Sequence, residues 1–382
     1  MKLREWLRGE RAPAAVQIPR GRDRPWAEPL LGSAHRGLYE NIRQQIPLVD
    51  AALDRLVRLL GEFDIRCETE EVRVELERLC RELPTGAGTA GLRGFLERYL
   101  DDLLTYGSAV GEILPAADGR GVAAVVNCPG ESLLVRPGDT PDRVRFFPAE
   151  HGVSGREVAC PELILFSALH PRAGEVAGRS LLAGLPFVSD LLMKVYTSMG
   201  SNFERAGSLR YAVTYRPEPG ERVNTREVAE TMAREWSAAM QGGSESISDF
   251  VAVGNVDIRV IGADSPIPDT QVPVRQLLEQ IVAKLGVPPF LLGLQWSTTE
   301  RMSSQQADLL TSEMEHYRSI LTPVVHRILA THLRLMGRET AFAIDWQNIS
   351  LQDESELANA RYANARAEQI EREVAEHGPK QH

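Results

Sequence analysis

Between Leu310 and Ile328 the apolar residues Leu310, Met314, Tyr317, Leu321, Val324 and Ile328 fall at spacings of 4, 3, 4, 3 and 4. That period places all six on one face of a continuous helix. Pro323 lies inside the seam. It has no N–H to offer the Ser319 carbonyl, at a cost of about 3 kcal/mol in an ordinary helix interior, so a kink is expected there. A second helical seam joins Ile42, Ile46, Val49, Leu53, Leu56 and Leu60, and Pro47 should bend or split it. Two further helices are predicted over Glu70–Leu83 and Leu92–Tyr106.

The period then shortens. Strands are predicted at Ala109–Leu114, Val122–Asn127, Leu133–Arg136, Arg143–Phe147 and Leu163–Leu169, separated by Gly, Pro and Asp turns. Residues 34–175 thus form a first α+β domain. A helix from Ser180 to Ala206 follows, with Gly207 as its expected cap. A small α/β insert occupies 208–263: a strand at Arg210–Arg216, a helix opened by Asn224 with Glu227 three residues on, and strands near Phe250–Val253 and Asp257–Ile261. The helix Val272–Leu285 leads out of the insert, and a strand (Thr340–Asp345) and a polar, Ala-rich helix (Glu354–Glu376) finish the chain. There is no internal repeat.

Composition narrows the classes. At 382 residues there is room for two or three cores, and 43% apolar with 25% charged residues reads as a soluble globular protein. A net charge of −10 disfavours tight nonspecific DNA binding, which needs a basic surface to release phosphate counterions. Cys67, Cys80, Cys128 and Cys160 lie far apart without metal-ligand spacing, as expected of free thiols in a reducing compartment. No apolar run is long enough to span a membrane, and charges interrupt the first sixteen residues too often for a signal peptide. Synthesis in the cytosol is expected. Residues 1–33 hold seven basic and four acidic side chains, an arm that is either solvated or laid on an acidic neighbour.

Catalytic patterns fail on their context. Gly86-Ala87-Gly88-Thr89-Ala90-Gly91 spells GxGxxG, but a helix and a proline precede it where dinucleotide binding needs a strand. A helix–helix linker is the better reading. Glu313 and His316 make one E-x-x-H without the second copy that a di-iron bundle requires, so a solvated face is expected. His326 and His332 fall on different helix faces, and Asp101 and Asp102 point apart. There is no P-loop and no GxSxG. No catalytic residue, metal or cofactor is assigned. The polar loop Gln295-Trp296-Ser297-Thr298-Thr299-Glu300-Arg301 offers hydroxyls, an amide and one guanidinium that can bond phosphates. On composition alone it is a surface connection between helices.

Five stretches, in order, resemble the portal proteins of long-tailed bacteriophages. Leu104-Thr105-Tyr106-Gly107-Ser108-Ala109 is similar to the turn from helix to strand in the wing domain. Ile164–His170 with Gly178-Arg179-Ser180-Leu181-Leu182 resembles the approach to the first stem helix, and Phe203–Leu209 its exit. Leu285-Gly286-Val287-Pro288-Pro289-Phe290-Leu291-Leu292-Gly293 resembles the close of the second stem helix, and Ile320-Leu321-Thr322-Pro323-Val324 the kinked wing helix. The Asn or Tyr pair common in the family's loop is absent.

The resemblance implies an α+β, portal-type fold: an α/β wing, a two-helix stem, a small α/β clip, a long kinked wing helix and a small helical crown. Its parts would be a basic arm (1–33), wing (34–175), first stem helix (176–207), clip (208–263), second stem helix (264–287), tunnel loop (288–302), kinked wing helix and strand (303–346) and crown or tail (347–382). Gln295, Trp296, Ser297, Thr298, Thr299 and Arg301 would face DNA, Pro288, Pro289 and Gly293 would hinge the loop, and Pro323 would kink the helix. Trp296 is expected to pack on the neighbouring helix, since duplex DNA offers no free base face. A homo-oligomer, usually of twelve, would sit at one capsid vertex and pass double-stranded DNA. It would be assembled in the bacterial cytoplasm with major capsid and scaffold proteins, large terminase and a head–tail connector, and without a membrane. Two other classes stay open at this point: an adaptor or scaffold protein binding partners through the long seam, and an enzyme with a nonlocal site.

Overall fold

Pro47 opens a helix; it does not sit inside one. In the computed structural model α1 (Ser33–Gln45) stops before Ile46, and α2 (Pro47–Arg58) begins with the proline in its first turn, where no intrahelical N–H is needed. The structure describes residues 33–349 except 87, 141–142, 151–152, 155, 208–209, 217–223, 242–255, 262–269 and 295–299. The expected arm up to residue 32, the strand near 250–253, the helix over 354–376 and the tunnel-loop residues 295–299 lie outside the described residues.

The chain divides into two units, one of Met1–Ser189 with Glu279–His382 and one of Asp190–Leu278. In the first, β1 (Phe63–Cys67) and α3 (Glu70–Glu82) precede α4 (Leu92–Tyr106). The glycines between α3 and α4 form the expected linker: Thr85 and Gly91 donate to the Thr89 and Leu83 carbonyls, and the Arg98 guanidinium bonds both threonine hydroxyls. β2 (Ser108–Pro115) is the centre of an antiparallel sheet, flanked by β3 (Val122–Cys128) and β7 (Ile164–Ala168). β4 (Leu133–Pro137), β5 (Val144–Glu150) and the short β6 (Val153–Ser154) make a second antiparallel sheet.

Alternation decides what each face of β2 meets. Gly111 faces α4, where an added Cβ would lie 2.9 Å from the Phe95 ring, and on the same face Tyr99 Oη donates to Ser167 Oγ at 3.1 Å. The opposite face carries Val110, which joins Ile164, Leu133 and Phe146 in a core shared with the second sheet. Phe146 and Phe166 meet there edge to face, with centroids 6.0 Å apart. The order is therefore helices, sheet, sheet.

α8 (Glu300–Leu335) packs on β7 and β3, joining α4 on the sheet. All six seam residues are buried, none more than 4% exposed. The seam is filled within its own unit, which removes the surface an adaptor would use. β10 (Phe342–Trp346) pairs antiparallel with β1, a strand the apolar pattern did not announce.

α5 (Leu185–Gly207) starts five residues later than expected and includes Gly207 as its last residue. In the second unit β8 (Arg210–Tyr215) pairs antiparallel with β9 (Val256–Ile261). α6 (Thr225–Gln241) follows Asn224, and Glu227 N–H bonds the Asn224 carbonyl at 3.0 Å. α7 (Gln271–Leu285) leads back to the first unit.

Arg43 ties three helices together, bonding Asp50 at 2.7 Å, Asp101 at 2.8 Å and the Thr105 hydroxyl at 2.8 Å. Asp102 beside it has no such fork. Burial, and then the neighbouring Asp101 carboxylate, push it up to about 6. The folded chain holds this proton where an unfolded aspartate, at about 3.9, has lost it. Stability from this group is full below about pH 4 and lost as pH rises through about 6. Asp102→Asn should therefore raise the urea midpoint at pH 7.5 by an amount worth about 1–2 kcal/mol and change little near pH 4. Equal effects at both pH values would contradict this.

Candidate functional site

The residues on either side of 295–299 are anchored. On the near side, successive prolines forbid helix after α7 because the residue before each is held extended. Val287, Pro288 and Pro289 are buried, and a single 3-10 turn (Pro289–Leu292) packs against α2. Leu291 N–H bonds the Pro288 carbonyl at 3.1 Å and Leu294 N–H the Pro289 carbonyl at 3.0 Å. Gly293 closes the turn at φ 73°, a left-handed conformation that a side chain would strain. The expected hinge residues thus form a fixed platform just before residue 295.

On the far side α8 starts at Glu300, and Arg301 in its first turn is exposed. Ala307 and Leu310 are the first residues of this helix to enter the core, 8% and 1% exposed. Two turns with exposed Arg301, Met302, Ser304 and Gln305 precede them. Of the proposed DNA-facing residues, Arg301 is described and lies at this root; Gln295, Trp296, Ser297, Thr298 and Thr299 lie outside the described residues.

Further along, α8 runs unbroken through Pro323. Thr322 stands beside the missing N–H, its hydroxyl donating to the Arg318 carbonyl at 2.7 Å and accepting from Trp346 Nε1 at 2.9 Å. One turn earlier Arg318 is 6% exposed. Its Nε and Nη2 donate to the Leu60 carbonyl at 2.9 and 2.6 Å, and its Nη1 to the Gln347 carbonyl at 2.8 Å. Burial lowers its pKa below the usual guanidinium value, partly offset by Glu315. A charged fork therefore holds the end of α2, the middle of α8 and the end of β10 together. The Glu313 carboxylate helps burial push the Tyr317 hydroxyl up, and His316 stacks on His170 with centroids 5.0 Å apart and planes at 4°; among the described residues no group of His, Cys, Asp and Glu could hold a metal ion.

Two of the motif stretches meet in space where the chain turns into α5. Gly107 caps α4 at φ 83° and its carbonyl accepts Leu169 N–H at 2.7 Å. Gly178 N–H donates to Ser108 Oγ at 2.9 Å. Ser180 Oγ donates to the Thr105 carbonyl at 2.6 Å and accepts Leu182 N–H at 2.9 Å. Leu181 N–H bonds the Leu104 carbonyl at 2.9 Å. So Tyr106-Gly107-Ser108 and Gly178-Arg179-Ser180 are two halves of one clasp, with Thr105, Ser108 and Ser180 all buried. Apolar periodicity extended the helix back to Ser180; the clasp holds 178–182 out of it. The buried cation Arg318 escaped sequence reasoning, because its acceptors are backbone carbonyls from distant positions.

No family model matches the chain, and no curated protein matches it in sequence. Solved structures do match in fold. A chain of the virion of a native gene transfer agent particle aligns with TM-score 0.60 and 16% identity, over 92% of this chain and 91% of that one. A chain from the neck of such a particle, computed with C12 symmetry, aligns with TM-score 0.52 and 18% identity over 79% and 84%. An HK97-family phage portal protein from Corynebacterium diphtheriae aligns more loosely, with TM-score 0.45 and 15% identity over 86% and 98%. The chain has the mixed helix-and-sheet fold of these gene transfer agent particle chains.

Proposed function

We propose that this chain is a portal subunit: one member of a ring at a capsid vertex through which double-stranded DNA enters and leaves. The observation that carries the reading is the fold likeness to a virion chain across 92% of this chain. The ordered motif stretches support it, since two of them are the halves of the clasp leading into α5. Twelve subunits are proposed from the C12 symmetry of the related neck.

In this reading α5 and α7 are the stem, the α/β unit between them is the clip that meets terminase and head–tail connectors, and the layered unit with α8 is the wing. Residues 295–299, with Arg301 at their root, line the tunnel. The ring is a structural component of the particle, and terminase hydrolyses ATP from outside. α5 carries the kind of surface a ring needs: Phe187 is 75%, Tyr196 41% and Phe203 59% exposed along one helix. A charge of −10 per subunit disfavours adhesion of DNA to the wall.

Arg301→Ala should change the amount of DNA packaged or retained, read as nuclease-protected DNA per particle, while rings of the variant form as before. Rings that fall apart on this substitution would make the loop root structural and sink its assignment to DNA.

A further inference from the structure

β4 and β5 set two arginines against each other. The register pairs Arg136 with Arg145 and Leu134 with Phe147, so Leu134, Arg136, Arg145 and Phe147 share the face turned away from the core of Leu133 and Phe146. Both guanidiniums lie on the Phe147 ring, 4.9 Å and 5.5 Å from its centroid. Like charges directly opposite in a sheet repel unless an anion sits with them.

Among the described residues only one of the two has an anion. Arg145 grips Glu157 through both carboxylate oxygens, at 3.0 and 2.6 Å, and Asp139 adds to its negative surroundings. Arg136 makes no hydrogen bond or ion pair among the described residues, and its Nε is closed off from solvent without an acceptor. Packing on Phe147 thus holds one of its donors dry. A planar fork fixed on an aromatic ring, next to an identical fork already filled by a carboxylate, is preorganised for a second carboxylate.

We propose that Arg136 is the docking point for an acidic side chain of a neighbouring copy of this chain. The partner's class follows from the surroundings. Glu157 and Asp139, the carboxylates around the neighbouring Arg145, repel the multiple charges of a nucleic-acid backbone but tolerate one carboxylate. A second copy can supply it, since the chain carries 53 acidic against 43 basic residues. The inference rests on the ring reading above and deepens it by naming a contact between subunits.

The test is a salt titration of the assembled full-length protein, followed by mass photometry, for the wild type, Arg136→Gln and Arg136→Lys. Rings of Arg136→Gln should dissociate about tenfold more readily at matched salt, with Arg136→Lys closer to it than to wild type, because an ammonium lacks the fork. Thermal midpoints of the dissociated chains should be unchanged. Rings of all three with the same salt response overturn the proposal and leave the ring reading standing. A fall in the variant's monomer midpoint that accounts for the loss overturns it as well. A wild type that never forms rings overturns both. Binding of a short DNA duplex that Arg136→Gln abolishes would reassign the fork to phosphate and overturn the subunit contact.

Discussion

Gly178→Ala is expected to leave little folded protein. A Cβ at this position would land on the Gly107 carbonyl oxygen and crowd the Leu169 backbone, 2.7 Å from its carbonyl oxygen. All the atoms it would strike are main chain, so no side chain can swing aside. Relief requires pulling 178 away from 107, which breaks the Gly178–Ser108 bond and strains those of Leu169, Arg179 and Leu181. Overpacking against flexible side chains costs about 1–3 kcal/mol. Against backbone, with several buried hydrogen bonds at stake, the loss should exceed about 4 kcal/mol, most of a typical domain's stability. Soluble yield and the thermal midpoint test this, with Arg179→Ala as the neighbouring control. A variant that folds within a few degrees of wild type would show that the clasp is not rigid. Gly107→Ala should behave alike, since its Cβ would lie 2.5 Å from Ser180 N at φ 83°.

The second large effect belongs to Arg318. Arg318→Met keeps much of the side-chain volume and strips the fork from the Leu60 and Gln347 carbonyls. Each buried acceptor left without its charged donor costs about 1–3 kcal/mol, so a total of roughly 3–5 kcal/mol is expected. For a chain of this size that lowers the thermal midpoint by about 5 °C. Arg318→Lys should recover little, because one ammonium cannot serve two carbonyls on different elements and does not lie flat over Trp346, whose ring is 5.2 Å from the guanidinium carbon. A full rescue by lysine would mean that charge alone matters at this site.

The elements most legible in the sequence were those whose burial is periodic. Leu310 through Ile328 repeat at helical spacing because one face of α8 lies on the sheet, and Pro47 marks a boundary because its ring fits a first turn. β1 carried no such signal. Phe63-Asp64-Ile65-Arg66-Cys67 is half polar, only Ile65 among them is buried, and its partner strand lies nearly three hundred residues away. The start of α5 was misplaced for a related reason. Ser180-Leu181-Leu182 reads as helix by composition, but a long-range bond from Ser180 to Thr105 overrides local preference. For the candidate site, the Pro288-Pro289 stop and the glycine closing the turn were readable because their backbone chemistry is local. Arg318 was not, since a lone arginine beside a helical seam looks like a solvated face until the distant carbonyls are in place.

The proposed assembly is a ring with a hole. Electron microscopy of the purified full-length chain in negative stain, with its mass by light scattering, tests this most directly. End-on views of closed rings with a central channel are expected, with a mass near twelve times that of one chain. A uniform population of solid, one- or two-subunit particles, unchanged on addition of capsid and scaffold proteins, would contradict it.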